Sequence, residues 1–403
     1  KGAPGSGRGF RMGRVVSRVA QRPEALGEFP VTALPEEIET PGEGQVRALV
    51  TVAGNPVASN PNAGRLDAAL ESLEFMVAVD PYINETTRHA DVILPPPSAL
   101  EKSHYDIALL NFAVRNVANY SAPVLDAPEE QPEEWEILLR LAAVVQGGGI
   151  EADIDEIDDM IAAAMVSSAV RDEHGDVHDR DPADLLGELE GRRGPERLLD
   201  LMLRTGPYGD GFGADPDGLS LAVLEANPHG VDLGALEPDR IPDVLRTPSG
   251  RIEAFPDPMR ADMERFVGSL DRVADGMVLV GRRHIRSNNS WMHNVRVLTK
   301  GRNRCTLQVH PDDADRLGLR DGAPATVQSR VGEVSIDVEV TDGIRPGVVS
   351  IPHGFGQNLP GVRLRVAQEY RGVNTNVLTD ELFVDEISGN IALNGVPVTL
   401  SPT

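Results

Sequence analysis

Residues 281–294, GRRHIRSNNSWMHN, concentrate side chains that suit a polar, anionic ligand. This basic strip contains three arginines, two histidines, three asparagines and one tryptophan, and it directly follows a predicted strand. Guanidinium groups suit a pyrophosphate, while asparagine and histidine suit the polar edge of a heterocycle. The residue types therefore favour a nucleotide-like ligand, with a solvated basic loop that binds nothing as the alternative.

A second candidate site follows two predicted strands near the start of the chain. Gly54, Asn55 and Pro56 come directly after one strand, and Asp80 ends the next. A glycine lets backbone amides approach an anion, a side-chain amide can hold a sugar or base, and a carboxylate can accept two hydrogen bonds from a ribose or a guanine edge. Because the known phosphate-binding glycine motifs are missing, a tight turn without a ligand stays open as the alternative, with Asp80 as a turn or capping residue.

Other polar segments carry weaker signals. The glycine- and amide-rich loops 352–358 and 372–376 border predicted strands, and the second contains Asn374 and Asn376, but each loop by itself is more often a turn than a site. The single cysteine, Cys305, leads an apolar strand and is interpreted as a small core residue. One cysteine excludes a disulfide or a cysteine-ligated cluster built from this chain alone, and no catalytic residue or metal ligand is assigned in it.

An open parallel sheet is predicted to position the second site. Apolar runs at 46–53, 75–80 and 90–94 predict strands, the first of them buried on both faces, and helical spacing predicts a helix over 62–73. Ligands of such sheets lie at the carboxyl ends of the strands, where Asn55 and Asp80 fall.

A closed β-barrel is predicted to position the basic strip. Short strands punctuated by Asp-Gly and Asn-Gly turns suit a barrel or sandwich. The strands are predicted at 277–281, 305–309, 325–329, 334–340, 347–351, 373–378 and 391–400. The fold class is therefore α/β plus β, with an open parallel α/β sheet domain followed by a β-barrel domain.

The predicted domain boundaries follow from these patterns. Residues 1–45 are interpreted as a linker or loop with a short helix over 12–20, and 46–150 as the α/β domain. That domain includes a helix over 132–146, whose apolar face is formed by Trp135, Leu138, Leu139 and Ala142. Residues 151–276 are predicted to form an acidic helical insertion or cap, and 277–403 the barrel.

Length and charge limit the classes of function. The 403 residues carry a formal net charge of −25, which suggests two or three domains with a strongly acidic surface. Such a surface repels phosphate backbones and anionic lipids, so neither nucleic acid nor a membrane is an expected partner. No apolar run approaches the roughly 20 residues of a spanning helix.

The motifs, taken together, resemble the carboxyl-terminal half of the molybdopterin oxidoreductases, the dimethyl sulfoxide reductase family that includes formate dehydrogenases and nitrate reductases. The resemblance rests first on 54–56 and on 75–95, FMVAVDPYINETTRHADVILP, which are similar to the third domain of the family. It rests second on segments of the predicted barrel, which are similar to the pterin-dinucleotide-binding barrel of the double-psi type: 279–282, 309–314, 317–319, 321–322, 346–349 and 374–379.

This resemblance implies a cofactor of two molybdopterin guanine dinucleotides that together hold one molybdenum or tungsten. It implies one guanosine pocket, lined by Gly54, Asn55, Pro56, Asp80 and Thr86. It also implies that pterin and pyrophosphate groups are reached from the barrel by Arg282, Arg283, His284, Arg286, Asn288, Asn289, Ser290, His293, Asn294, Asn374 and Asn376.

The family carries its 4Fe–4S cysteines and its metal ligand in an amino-terminal half that does not match this sequence. The chain is therefore expected to be the carboxyl-terminal portion of a longer oxidoreductase, with the amino-terminal half of the same polypeptide and an electron-transfer subunit as partners. Alone it is expected to be inactive and to bind the complete cofactor poorly. A cytoplasmic location is the default, and a leader upstream would make it periplasmic.

Two other classes of function stay open on the sequence. One is a non-catalytic electron-transfer or structural subunit that resembles the large iron–sulfur subunit of respiratory complex I. The other is a cofactor-free binding module that reuses the fold. The sequence does not indicate whether formate, nitrate, a sulfoxide or another molecule is the substrate.

Overall fold

The computed structural model describes residues 12–238, 241–270, 276–370 and 372–403. Internal contacts divide the described residues into two compact units. Residues 96–253 form one, here called the helical unit, and residues 12–95 together with 254–403 form the other, here called the barrel unit. Residues 96–150 thus pack with the helices that follow them in the chain, whereas the predicted domain boundary lies at 150.

The strands are β1 (Met12–Val16), β2 (Pro23–Ala25), β3 (Ala48–Val52), β4 (Phe75–Val79), β5 (Val92–Ile93), β6 (His104–Tyr105), β7 (Arg115–Ala118), β8 (Tyr120–Ser121), β9 (Val231–Ala235), β10 (Met277–Arg282), β11 (Leu307–Val309), β12 (Pro324–Gln328), β13 (Glu333–Val340), β14 (Val348–Pro352) and β15 (Val396–Pro402). The α-helices are α1 (Leu34–Glu39), α2 (Pro56–Ser59), α3 (Ala63–Glu71), α4 (Glu134–Val145), α5 (Ile154–Arg171), α6 (Pro182–Glu188), α7 (Gly194–Arg204), α8 (Leu221–Glu225), α9 (Ile241–Val244), α10 (Asp257–Leu270), α11 (Arg296–Thr299), α12 (Pro311–Leu317) and α13 (Arg365–Glu369).

The barrel unit contains the predicted closed barrel, with strand order β10-β14-β11-β13-β12-β15. Two of its neighbouring pairs, β10–β14 and β11–β13, are parallel, and the others are antiparallel. Its core is made of inward side chains such as Leu279, Leu307, Val327 and Ile351, which are fully buried. The barrel prediction is confirmed, because alternating apolar residues on each strand fill this interior.

One predicted barrel strand is wrong. Residues 373–378 form a 3-10 turn at Thr375–Val377 instead of a strand. The side-chain oxygen of Asn374 accepts a hydrogen bond from the backbone N–H of Asn376 at 2.9 Å, which stabilises a turn rather than a ladder.

A three-stranded parallel sheet, β3-β4-β5, lies in the same unit, as predicted. The interpretation of the first strand as buried on both faces is wrong: Val50 and Val52 are 48% and 45% exposed. The reason is that β3 lies at the edge of the sheet and only one of its two faces packs against the apolar residues of α3. The central strand β4 is buried from Met76 to Val79.

Residues 12–45 are more ordered than a linker. Strands β1 and β2 pair antiparallel and α1 follows, so the predicted helix over 12–20 is wrong. Arg14 forms an ion pair with the buried carboxylate of Glu24 across this hairpin, which helps to fix the pairing. The first 11 residues of the predicted linker lie outside the described part.

The helical unit packs α4, α5, α6 and α7 with two small antiparallel strand pairs, β6–β8 and β7–β9. Helices were correctly predicted here, but the buried face of α4 was not. Ile137 and Ala143 are buried, whereas Leu138 is 37% exposed. Trp135 lies against Gly194 of α7, where a Cβ atom would come within 2.6 Å of its ring. No helix in the described residues is both long and apolar enough to cross a membrane.

Replacing Leu279 by Ala tests whether the barrel interior stabilises the fold. The side chain is fully buried, so we expect the free energy of unfolding to fall by about 2–5 kcal/mol. The matched control is Leu382→Ala, because Leu382 is 63% exposed and its truncation is expected to change stability by no more than about 0.5 kcal/mol. Urea unfolding followed by circular dichroism measures both, and equal losses would contradict the barrel core.

Candidate functional site

The loops at one end of the barrel surround a cavity of about 340 Å³, here called the basic cavity. Because β10 and β14 are parallel and β11 runs antiparallel to β14, the segments after β10, after β14 and before β11 emerge at the same end. The cavity is lined by His284, Arg286, Ser287, His293, Leu298, Thr299, Arg302, Asn303, Arg304, Phe355, Glu369 and Tyr370. Four of these side chains come from the basic strip, so the predicted cluster does border a cavity.

The charge of the basic cavity is positive in an otherwise acidic chain. Arg286 and Arg302 are exposed, and neither guanidinium makes a hydrogen bond or an ion pair within the described residues. The acidic residue in the lining, Glu369, is already paired with Arg296, with its Oε2 2.8 Å from Nη1. The two free guanidinium groups can therefore bind an anion.

The imidazole of His293 is the most constrained polar group in the cavity. Its residue is 5% exposed, its Nε2 atom has no hydrogen-bond partner, and its ring meets that of Phe355 edge to face with centroids 4.3 Å apart. Burial lowers the pKa of His293 to about 4, although a hydrogen bond to the backbone of Asn289 acts in the opposite direction. The ring is therefore neutral near pH 7.

A strained turn holds the basic strip in place. Asn288 and Asn289 have φ angles of 38° and 58°, the left-handed region that asparagine tolerates better than most residues. The turn packs against Gly354, where a Cβ atom would lie 2.0 Å from the carbonyl oxygen of Asn289. At the end of the strip, Asn294 Oδ1 accepts a hydrogen bond from the N–H of Val366 at 3.0 Å. The strip is thus fixed to the loop at Gly354 and to helix α13.

Three residues predicted to reach the ligand make hydrogen bonds within the barrel unit. Arg282 is partly buried and donates to the carbonyl oxygens of Ser350 at 2.6 Å and Thr306 at 2.8 Å. Burial lowers its pKa. Asn374 and Asn376 donate through Nδ2 to the backbone carbonyls at the start of α2, Val57 at 2.9 Å and Ala58 at 2.8 Å. These bonds tie the barrel to the end of the parallel sheet.

Apart from His284, the remaining predicted residues of the basic strip do not line the cavity. Arg283 and Asn288 are exposed, Ser290 is half-buried and precedes the 3-10 turn Trp291–Asn294, and Asn294 accepts the hydrogen bond from Val366 described above. His284 lines the cavity, and its Nδ1 accepts a hydrogen bond from the backbone N–H of Arg286 at 3.1 Å.

The carboxyl ends of the sheet hold a buried polar network. The Thr86 hydroxyl donates to Asn55 Oδ1 at 2.8 Å and accepts from the N–H of Val57 at 3.0 Å, and Asn55 Nδ2 donates to Glu85 Oε2 at 2.6 Å. Glu85 is 1% exposed, its other oxygen has no partner, and burial raises its pKa. The network holds the loop at Gly54, Asn55 and Pro56 in its conformation.

Asp80 is also held inside this end of the sheet. Its Oδ1 accepts from the N–H of Tyr82 at 2.8 Å and its Oδ2 from Asn84 Nδ2 at 3.2 Å. Burial raises its pKa despite these two bonds. Because a carboxylate has about four acceptor positions, Asp80 keeps capacity for further donors.

The two predicted sites do not line one common cavity, but one chain segment contacts both of them. A second cavity, of about 240 Å³, has walls from both parts, with Val57 and Asp67 on one side and Asn358 and Asn374 on the other. Neither Asn55 nor Asp80 lines either cavity. The segment 353–370 connects the sites, since its Phe355 lines the basic cavity and its Arg363 donates its N–H to Ile83 O at 2.8 Å.

Sequence reasoning missed several residues of these sites. Arg302 and Arg304 flank Asn303 shortly before β11, which is the same kind of basic signal that identified the strip. Phe355 lies in a loop that was noted only for its glycines and amides. Glu85 gave no signal by spacing, because its role depends on burial beside Asn55.

Two family models match the chain. The model described as molybdopterin oxidoreductase matches residues 5–144, and the model described as molydopterin dinucleotide binding domain matches residues 277–397, which include the basic cavity. The chain belongs to the molybdopterin oxidoreductase family. The predicted resemblance is therefore confirmed, and the barrel is a molybdopterin-dinucleotide-binding domain by its family.

Curated relatives of this molybdopterin oxidoreductase chain are oxidoreductases. It is 24% identical over 335 residues to the F420-dependent formate dehydrogenase subunit alpha of Methanocaldococcus jannaschii, a match that covers 83% of this chain and 42% of that protein. It is 35% identical over 114 residues to the assimilatory nitrate reductase catalytic subunit of Bacillus subtilis, covering 28% of this chain and 15% of that protein. The chain thus spans about two-fifths of the length of the formate dehydrogenase subunit, and less of the nitrate reductase.

A solved structure shows the same fold. Acetylene hydratase from Pelobacter acetylenicus superposes with a TM-score of 0.61 and 17% sequence identity, covering 92% of this chain and 46% of the hydratase. At this identity the match supports the fold alone.

The close approach at Gly354 predicts that a methyl group there distorts the basic strip. Gly354→Ala places Cβ 2.0 Å from the Asn289 carbonyl oxygen at a φ of +90°, whereas the control Gly347→Ala has a similar φ of +81° with no atom within 4 Å. In both variants the new side chain strains a backbone with positive φ. We expect the free energy of unfolding of Gly354→Ala to fall by about 1–3 kcal/mol more than that of Gly347→Ala. Chemical denaturation measures the difference, and equal losses would show that the strip does not pack as described.

The bond between Asn376 and Ala58 predicts coupling between barrel and sheet. Asn376→Ala leaves the Ala58 carbonyl without its donor, 2.8 Å away in the native chain, and we expect a loss of about 1–3 kcal/mol. Asn390→Ala is the control, because the Asn390 side chain makes no hydrogen bond within the described residues and is exposed. The expected result is a clear loss of denaturant midpoint for the first variant only.

Proposed function

We propose that the barrel unit binds the pterin and phosphate groups of a molybdopterin guanine dinucleotide in the basic cavity, as part of a longer molybdenum- or tungsten-dependent oxidoreductase. One observation carries the proposal: a cationic cavity with a buried, unpartnered imidazole nitrogen lies within the segment that matches the dinucleotide-binding model.

The residues of the cavity fit this group chemically. The free guanidinium groups of Arg286 and Arg302 suit phosphate oxygens, while the aromatic rings of Phe355 and Tyr370 suit the faces of a fused heterocycle. The volume of about 340 Å³ is in the range of one small-molecule site and below that of a whole dinucleotide. The proposal therefore places one end of the dinucleotide in the basic cavity, and the rest extends beyond it.

The guanosine end is proposed to lie at the carboxyl ends of the sheet. Asp80 retains acceptor capacity, which suits the ring N–H and amino group of a guanine edge. Asn55 and Thr86 support this end indirectly, because their side chains bond to each other and to Glu85 or Val57. They fix the loop and leave its backbone to face the ligand.

The metal ligand and any iron–sulfur cluster are proposed to come from residues outside this chain. Cys305 is 2% exposed, and burial raises the pKa of its thiol to about 11, so it is a poor source of thiolate. The described residues contain no group of three or more His, Cys, Asp or Glu side chains able to hold a metal ion. The amino-terminal half of the same polypeptide, a second dinucleotide and an electron-transfer subunit complete the proposed enzyme.

The bound cofactor would supply redox chemistry at its metal, and this chain would contribute binding and orientation. The guanidinium groups hold the anionic part, and the neutral His293 meets the heterocycle. The substrate is left open, since the names of the relatives include both a formate dehydrogenase and a nitrate reductase. The isolated chain is expected to have no turnover.

Charge removal at the cavity tests the proposal. In the full-length polypeptide, produced in a host that makes the cofactor, Arg286→Ala and Arg302→Ala are each expected to weaken cofactor retention about two- to tenfold, because each removes an exposed phosphate-binding cation. Retention is measured as pterin fluorescence after oxidative release and as molybdenum or tungsten by mass spectrometry. Arg320→Ala is the control, since it removes the same charge from an exposed position of the barrel unit away from the cavity.

Unchanged retention in both cavity variants would contradict the proposed site. Native mass spectrometry of the full-length protein tests the function itself: guanine dinucleotide together with molybdenum or tungsten supports it. A protein that carries only iron would instead be an electron-transfer subunit without the pterin.

A further inference from the structure

We propose that the amino-terminal portion of the same polypeptide docks on the β3-β4-β5 sheet, where it packs a helix on the exposed face and pairs a parallel strand with the free edge of β3. Strand β3 is then an inner strand of a larger sheet. The inference rests on the proposed function, which supplies that portion of the polypeptide, and adds the surface on which it docks.

One face of the sheet is apolar and exposed. Alternate side chains of a strand point to the same face, and residues in register on neighbouring strands share it. The register therefore places five exposed side chains on one face, here called the bare face: Ala48, Val50, Val52, Phe75 and Val92. Phe75 and Val92 are 48% and 39% exposed. All five are apolar, and Val77 lies in register between Val50 and Val92.

A strand elsewhere in the same unit shows what a solvent-facing surface of this chain looks like. In β13 the exposed positions are Glu333, Ser335 and Asp337, which alternate with the apolar side chains of the barrel core. That alternation is typical of a sheet with one wet face. The bare face has no such polar side chains, so its composition is that of a surface that another element covers.

The opposite face of the sheet is already covered. Leu49 of β3 packs there against the cluster that contains Leu66 and Leu70 of α3. Parallel sheets occur almost only where helices cover both faces. The described residues thus supply the helices of one face, and the bare face requires another helix.

The free edge of β3 is a second surface without a partner. Within the described residues β3 pairs with β4 alone. Its sequence, ALVTV, has no charged residue and no proline, although strands that stay at an edge usually carry such residues to prevent further pairing. The edge of β3 is therefore suited to another strand.

One occupant satisfies both surfaces because of the handedness of strand connections. The chain leaves β3 through α2 and α3 and returns at β4. Right-handed connections that proceed in the other direction across the sheet place their helices on the opposite face, which here is the bare face. A strand on the free edge and a helix on the bare face thus belong to one α/β arrangement, with β3 where the strand order reverses.

The amino-terminal portion is the occupant that length and charge favour. The match to the formate dehydrogenase subunit covers 42% of that protein, and the match to the hydratase covers 46% of it, so more than half of each lies outside the matched region. Residues 1–11 contain one large apolar side chain, Phe10, which is too little to cover the bare face. A second copy is disfavoured because each chain carries a net charge of −25.

Thiol labelling tests whether the bare face is covered. Val50→Cys places a thiol on the bare face, and the control Asp337→Cys places one at an exposed position of β13. Both are made in the 403-residue chain and in the full-length polypeptide, alkylated with iodoacetamide and read by peptide mass spectrometry. We expect similar rates in the 403-residue chain. In the full-length polypeptide we expect position 50 to react about tenfold or more slowly than position 337, because thiol reactivity requires exposure.

Hydrogen exchange tests the proposed strand separately. The amides of Ala48–Val52 are expected to exchange more slowly in the full-length polypeptide than in the 403-residue chain, because a strand on the free edge would bond those that now have no partner. Unchanged exchange there would show that no strand pairs with β3 and would overturn that part of the proposal.

The remaining outcomes decide the occupant. Equal labelling of positions 50 and 337 in the full-length polypeptide would overturn the proposal. Slow labelling of position 50 in the 403-residue chain would also overturn it, since the helical unit or a second copy would then cover the face, and light scattering identifies the second copy. Where Val50→Cys does not fold by circular dichroism, Val52→Cys on the same face replaces it.

Cofactor content of the same full-length preparation separates this inference from the proposed function. Bound guanine dinucleotide together with a reactive position 50 would leave the proposed function standing and contradict the docking surface. A protected position 50 in a protein without the dinucleotide would support the docking surface and contradict the proposed function.

Discussion

The parallel pairing of β10 with β14 is the constraint on which the candidate site depends. In register, Arg282 lies opposite Pro352, so the basic strip and the loop at 353–358 leave the barrel side by side. Strand β11 pairs antiparallel with β14, which brings the segment around Arg302 to the same end. Segments separated by about 70 residues in sequence thus surround one cavity, and the fully buried barrel core keeps their relative positions.

Polar side chains near the site have two different tasks. Arg282, Asn374 and Asn376 satisfy buried backbone carbonyls and so hold the barrel together and against the sheet. Arg286 and Arg302 have no such partners in the described residues and remain free for a ligand. Arginine occurs in both groups, and the difference between these arginines lies in burial, since a buried donor must be paired inside the protein.

His293 shows how packing changes the chemistry of an ordinary residue. An exposed histidine titrates near neutral pH, but here burial keeps the ring neutral and leaves Nε2 without a hydrogen-bond partner. The turn at Asn288 and Asn289, close to His293 in the chain, has positive φ angles and packs against Gly354, where a Cβ atom would not fit. Strain and an unsatisfied atom at the same place are typical of a site that a ligand completes.

The sequence by itself determined the secondary structure of the sheet and most of the barrel, because alternating and continuous apolar runs dictate which strands have a buried face. It also determined the family, through the segment 75–95 and the barrel motifs, and it located the basic strip. Three predictions from local patterns were wrong. Strand β3 is half exposed because it lies at the edge of the sheet. Residues 12–20 belong to a hairpin rather than a helix, and residues 373–378 form a turn stabilised by a side chain rather than a strand.

Only the tertiary structure decided which polar residues face the cavity. Arg282 and Arg286 are four residues apart in one basic run, yet one is bound to carbonyls inside the barrel and the other is free at its end. The side chains of Asn55 and Asp80 likewise make most of their hydrogen bonds to residues at the end of the sheet. The physical reason is that hydrogen-bond satisfaction depends on which backbone groups a fold buries nearby, and residues distant in sequence supply those groups.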